Sequence, residues 1–284
     1  MHSQTITLGH SPDPDDAFMF FALAQNKIPT HGFRFQHILQ DIQTLNERAR
    51  RAELDITAIS FHAYPFVAKD YALLPCGASM GDGYGPMLVS LKALRLDDLP
   101  QLRIAIPGKL TSTFLALQIF SAHSKFKIQD SNLIVTPFDQ IFDALRQDQA
   151  DVGLIIHEGQ LTYARDGFRL LLDLGEWWKG KTKRPLPLGG NVIRKSLGTA
   201  TLKTLSKILA ASIRYGLDHL DEAMPHLRPY ARDLDDGLTR QFVKMYVNDY
   251  TVDYGETGRA SIRDFLKQGA DLGLVPAISE LEFV

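Results

Sequence analysis

Cysteine is all but absent from this 284-residue chain. Cys76 stands alone, so no intrachain disulfide forms, and zinc sites built on two or more thiolates are excluded. An excess of either charge is missing too. Thirty-one Lys and Arg face 33 Asp and Glu for a net charge of −2, and neither a basic block nor an acidic tail interrupts the balance. The electrostatic footprint of a nucleic-acid or membrane-surface protein is therefore lacking. Long apolar runs are lacking as well: the longest early one, Ala17 to Ala24, is far short of the ~20 residues that span a bilayer. Met1 to Thr5 carry neither a basic n-region nor an apolar h-region. Together these features lead to the expectation of a cytoplasmic protein that contacts neither membrane nor nucleic acid.

Nucleotide and hydrolase signatures are missing too. The chain has no G-x-S-x-G elbow and no phosphate-binding G-x-x-x-x-G-K-[ST] loop. Gly81-Asp82-Gly83-Tyr84-Gly85 has the wrong spacing for a dinucleotide fingerprint and leads into a strand. No internal repeat and no linker rich in Pro, Gly or Ser is visible.

What is present is globular: 45% hydrophobic and 23% charged residues match an ordinary folded domain. Short β-branched runs alternate with helix-period segments through the first two thirds, the pattern of βαβ units around largely parallel sheets. Strands are predicted at 5–8, 33–39, 55–60, 87–91, 102–106, 133–135, 152–156, 170–173 and 191–193. Phe138, Ile141, Phe142 and Leu145 form one helical stripe that should lie on a sheet. After Gly198 the pattern is helical only. Leu202, Leu205, Leu209, Ile213 and Leu217 mark one long helix, and further helices are expected over 221–230, 237–248 and 256–269. Two Gly/Pro-punctuated segments, 77–86 and 185–190, are placed as crossovers between two α/β lobes. One lobe would comprise 1–91 and 187–284, and the other 92–186 as an insertion, with a ligand cleft between them. One continuous sheet with two glycine-rich loops is the alternative.

Ligands of open α/β sheets bind at strand carboxyl ends, and four such ends carry polar groups. Thr111, Ser112 and Thr113 open a helix whose free N–H groups suit a carboxylate, although capping alone also explains them. His157 ends the run Val152 to Ile156 as a candidate general base, with an ordinary surface or core histidine as the alternative. His10 and His62 follow other strands. With Asp13, Asp15 and Asp16 they offer N and O donors, but no metal spacing is present and no metal is expected. The three aspartates precede a helix and read mainly as caps. Trp177 and Trp178 read as core aromatics, and Cys76 as a buried structural thiol.

Several ordered segments resemble one family nearly end to end. They are Ser11-Pro12-x-Pro14-x-Asp16, Asp41 to Asn46, Gly85-Pro86, Pro107-Gly108 with Thr111-Ser112, Gly153 to Glu158 with Thr162-Tyr163, and Asp173-Leu174-Gly175-x-Trp177-Trp178. Pro185 to Gly189, Tyr246-Val247-Asn248 and Phe283-Val284 complete the set. The chain resembles the 1,4-dihydroxy-6-naphthoate synthases of the futalosine route to menaquinone, whose fold is like that of the type II periplasmic binding proteins. The resemblance implies a cofactor-independent carbon–carbon lyase acting on cyclic dehypoxanthine futalosine. It implies His157 as proton acceptor, and Ser11, Ala58, Ile59, Ser60, Thr111 and Ser112 as substrate-binding positions. The only partner it implies is a carboxylated small molecule, with a homodimer left open. The family's N-terminal Pro-Cys-Pro-Asn-Asp-Thr is here Pro12-Asp13-Pro14-Asp15-Asp16-Ala17, which puts two carboxylates in place of neutral groups. A related chorismate dehydratase and a non-catalytic carboxylate-binding protein are the competing readings.

Overall fold

The computed structural model describes residues 4–232 and 234–284. Its strands are β1 (Gln4–His10), β2 (Phe33–Leu39), β3 (Ile56–Ser60), β4 (Tyr71–Leu73), β5 (Ser79–Gly81), β6 (Met87–Ser90), β7 (Ile104–Ile106), β8 (Leu133–Val135), β9 (Val152–Ile155), β10 (Arg169–Asp173) and β11 (Leu186–Arg194). They form two mixed sheets. The first has the order β2-β1-β3-β11-β4, with β5 also paired to β11, and the second has the order β10-β6-β9-β7-β8.

The parallel pairing expected from βαβ units holds for β1 against β2 and β3, and for β7 against β8 and β9. The crossover strands add antiparallel pairs: β11 runs against β3, β4 and β5, and β6 against β9 and β10. The first crossover falls within the predicted segment 77–86, between β5 and β6, but the first lobe ends before the predicted residue 91. Met87–Ser90, placed with the first lobe at the sequence level, pairs with β9 and β10 in the second sheet. The segment 185–190, placed as the second crossover, is mostly the first half of β11.

β3 is buried along its whole length, as a strand covered on both faces must be. The long helix Thr199–Asp218 packs Leu205, Leu209 and Ile213 against Phe18, Phe21 and β1, while Leu217, assigned to the same stripe, is 39% exposed. Ile141 and Leu145 pack on the second sheet as predicted. Phe138 does not: it sits in a separate 3₁₀ turn, Phe138–Gln140, and packs against His157. A third cluster contains Ile59 and Phe61 of the first sheet region, Leu88, Ile104 and Leu154 of the second, and Trp178 and Phe265. The two sheets therefore share buried apolar contacts.

Candidate functional site

The carboxyl ends of β3 and β9, the glycine stretch of β11 and the start of helix Ser112–His123 line a partly open, mostly apolar cleft, the usual character of small-molecule sites. Ser11, Ala58, Ile59, Ser60, Thr111, Ser112 and His157, drawn from sequence positions up to 146 apart, all line it. Ile59 is fully buried in the shared core, so its part in the wall is packing. Ser60 is held by Asn46, whose side chain donates to Ser60 Oγ at 3.0 Å and accepts from Ser60 N–H at 2.8 Å.

His157 leaves β9 with φ +56°, a left-handed conformation uncommon outside glycine. Such strain concentrates at functional sites. The turn brings Nδ1 to 3.3 Å from Asp13 Oδ2 and sets the ring edge-on to Phe138 at 4.8 Å. Asp13 has a fully buried side chain. It accepts from Ser11 Oγ at 2.6 Å and lies 3.0 Å from Arg232 Nη1. The capping role expected for Asp13 is not realised: it sits at the N-cap of helix Pro14–Met19, but its side chain makes no cap bond.

Thr111 does cap its helix. Its hydroxyl accepts from Phe114 N–H at 3.2 Å and donates to Gly108 O at 2.9 Å, so that oxygen is already committed. Ser112 Oγ accepts from His62 N–H. What this corner offers a ligand is chiefly the first-turn N–H groups of Ser112 and Thr113, which have no intrahelical acceptor and carry the positive end of the helix dipole.

The same cleft is lined by Asp15 and Asp16. Burial, reinforced by Asp16 and Asp13, pushes the Asp15 carboxyl well above the usual carboxylate range, and its Oδ1 is buried without a partner. Asp16 accepts from Ser11 N–H at 2.7 Å, yet burial still raises it to about 6. Glu158 is raised by burial and by Asp13, and its carboxylate is bonded by Arg232.

His10 and His62 are occupied by protein partners. His10 contacts Ser11 O and His37 and is lowered to about 3 by burial, while His62 contacts Thr111 O. One oxygen of Asp13, one oxygen of Glu158 and one nitrogen of His157 lie within 4.8 Å of each other, a donor set for a metal. However, Arg232 already places a positive charge on both carboxylates, and a cation there would be repelled. Burial raises the Cys76 thiol to about 12, which makes it inert at neutral pH. Trp178 is core, with its N–H on Pro185 O.

Sequence reasoning missed Arg232, while Gln160 stood among the polar residues after the Val152 to Ile156 run without a role of its own. Tyr246 lines the cleft and donates to Gln160 Oε1. The one available signal for Arg232 was indirect: two carboxylates beside a histidine require a cation, but nothing in the chain says which of 31 basic residues supplies it.

Two sheets joined by crossovers, with a cleft at their strand ends, define a protein of the periplasmic-binding-protein fold. The alkanesulfonate-binding protein of Xanthomonas axonopodis pv. citri shares that fold at TM-score 0.69 and 15% identity, over 98% of this chain and 96% of that one. The family model for menaquinone biosynthesis matches residues 6–271, and the chain belongs to this family of menaquinone-biosynthesis enzymes. The 1,4-dihydroxy-6-naphthoate synthase of Streptomyces coelicolor is 35% identical over 98% of this chain and 97% of its own length. That of Thermus thermophilus is 32% identical over 95% and 96%. A solved protein structure from Archaeoglobus fulgidus matches at TM-score 0.90 and 38% identity, over 97% of this chain and 100% of that one.

Proposed function

We propose that this protein is a carbon–carbon lyase that converts cyclic dehypoxanthine futalosine to 1,4-dihydroxy-6-naphthoate without a cofactor. The observation that carries the reading is the Asp13–His157 contact at the mouth of β9, in a chain whose two curated relatives carry that synthase name over nearly their full length. Asp13 occupies Nδ1 and leaves Nε2 as the nitrogen for the substrate. A proton passes to Nε2, the carbon–carbon bond to the sugar remnant breaks, and the ring becomes aromatic. The substrate carboxylate takes the N–H groups of Ser112 and Thr113, with Ser60 and Ser11 supplying hydroxyls nearby. Burial, reinforced by Asp16 and Asp13, pushes the Asp15 carboxyl upward and so disfavours the charge that would repel the substrate carboxylate. Closing the partly open cleft over the substrate would exclude water from the bond being broken.

The test is to mix the purified protein with cyclic dehypoxanthine futalosine and no added cofactor, and to follow dihydroxynaphthoate by mass spectrometry. A positioned base supplies about 10² to 10⁴-fold, so His157→Ala is expected to lose turnover on that scale while keeping the wild-type circular dichroism spectrum. Near wild-type activity in that variant would refute His157 as the base. Saturable binding without product would make the protein a carboxylate binder.

A further inference from the structure

Arg232 lies in the connection between helices Leu220–Leu227 and Asp236–Tyr246, far in sequence from the groups it touches. Its Nη1 is 3.0 Å from Asp13 Oδ1, in the loop after β1, and bonds Glu158 Oε1, just after β9. Its guanidinium also lies 4.8 Å from the centre of the Phe138 ring, the ring that packs edge-on to His157. Among the described residues it is the one Lys or Arg paired with either carboxylate. Asp13 is wholly buried and the Glu158 side chain is 11% exposed. Two such carboxylates with oxygens within 4.8 Å of one another and of a His157 nitrogen repel each other and draw a proton onto the imidazole unless a cation balances them.

We propose that Arg232 is a positioning residue for His157: it neutralises Asp13 and Glu158 together and holds Asp13 against Nδ1, so that Nε2 is left free of a proton to receive one from the substrate. The inference rests on the functional reading above for what His157 does, and on geometry alone for what Arg232 does. Arginine suits this place, because one nitrogen, Nη1, meets both carboxylates while the flat guanidinium lies over the Phe138 ring. Burial of the guanidinium opposes its charge, but Asp13 and Glu158 outweigh that effect and hold it charged. The charged and titratable groups around His157 are Asp13, Asp15 and Asp16 from the N-terminal segment, Glu158 beside it, and Arg232 opposite. Asp139, Arg165 and Asp166 line the outer side of the same wall.

A purely structural Arg232 would tie the C-terminal helices to the second sheet and leave the protonation of His157 alone. The experiment separates the two roles. Histidine labelled with ¹⁵N is titrated by NMR in the wild type and in Arg232→Gln, with the His157 signals assigned by their loss in His157→Gln. Removing the guanidinium leaves two negative charges uncompensated, so the His157 midpoint is expected to move to higher pH, and the acidic limb of the pH–rate profile with it. A misplaced base costs about 10²-fold, and kcat/KM at neutral pH is expected to fall on that scale. Arg232→Lys should lie between the two, and adding Glu158→Gln to Arg232→Gln should return the midpoint toward wild type. A folded Arg232→Gln with an unmoved midpoint overturns the proposal, as does a double variant that shows no return. If Arg232→Gln does not fold, Arg232→Lys carries the test, and a wild-type midpoint and rate in it count against the proposal. The titration uses no substrate, so a shifted midpoint in a protein without turnover defeats the functional reading and leaves this one standing.

Discussion

Asp13, Asp15 and Asp16 are three identical side chains within four positions, and their surroundings give each a different job. By sequence all three belong to a helix start, where carboxylates cap and complement the dipole. In the folded chain Asp13 turns to His157 and Arg232, Asp16 binds Ser11 N–H, and Asp15 is left with an orphaned oxygen. Residue type was legible; the neighbour that each carboxylate meets came from segments up to 219 positions away in the numbering. Asp16 allows a test with a definite sign. Its folded-state value of about 6 exceeds the unfolded 3.8, so between those two values the native state keeps a proton that the unfolded chain has lost. Stability falls as pH rises through that window. Asp16→Asn keeps an acceptor for Ser11 N–H and removes the titration. Its urea midpoint relative to wild type should therefore be more favourable at pH 7 than at pH 4, and an equal difference at both would show that Asp16 is not the linked group.

Elements were legible where their own side chains carry the pattern. The stripe of helix Thr199–Asp218 and the apolar runs of β3 and β9 could be read because burial on one or both faces imposes a period or a continuous run. β4 and β5 could not: each has three residues and exists because β11, more than a hundred positions on, pairs with it. Phe138 fits the helical stripe by spacing, yet a Pro137 start and a 3₁₀ turn rotate it onto the His157 ring. The first crossover and the helix Leu174–Thr182 also meet at the level of the backbone. A Cβ on Gly175, in helix Leu174–Thr182, would stand 1.9 Å from Tyr84 O and 2.5 Å from Gly85 N, and backbone cannot yield as a side-chain tip does. Gly175→Ala is therefore expected to destabilise by about 1–3 kcal/mol or more. Gly180→Ala, in the same helix with nothing within 4 Å, should be neutral or slightly stabilising. Thermal melts of the two variants decide the point, and equal melting temperatures would contradict it.

At the scale of the whole molecule, the cleft belongs to neither sheet alone. Ser60 comes from the first sheet, His157 follows the second, and the core containing Ile59, Leu88, Leu154 and Trp178 runs between them. A ligand that fills the cleft binds only the assembled chain, so it must raise global stability. A ligand at a hundredfold excess over its Kd contributes about 2.7 kcal/mol. Dihydroxynaphthoate is expected to raise the unfolding temperature in a saturable way, with the effect reduced in Ser60→Ala. No rise at any concentration would mean that the product does not occupy this cleft. Among the described residues no helix is long and apolar enough to cross a membrane.

The sequence by itself determined the class of fold, the long helices, the strand ends that carry polar groups, and the family, because these depend on local periodicity and on ordered motifs along one chain. Only the tertiary structure decided that Met87–Ser90 belongs to the second sheet, that Asp13 faces His157 rather than capping a helix, and that Arg232 is the cation that balances the site. The physical reason is shared by all three. Strand pairing and charge compensation are chosen by what lies across a gap of a few ångströms after folding, and a buried carboxylate accepts whichever partner the packed chain delivers.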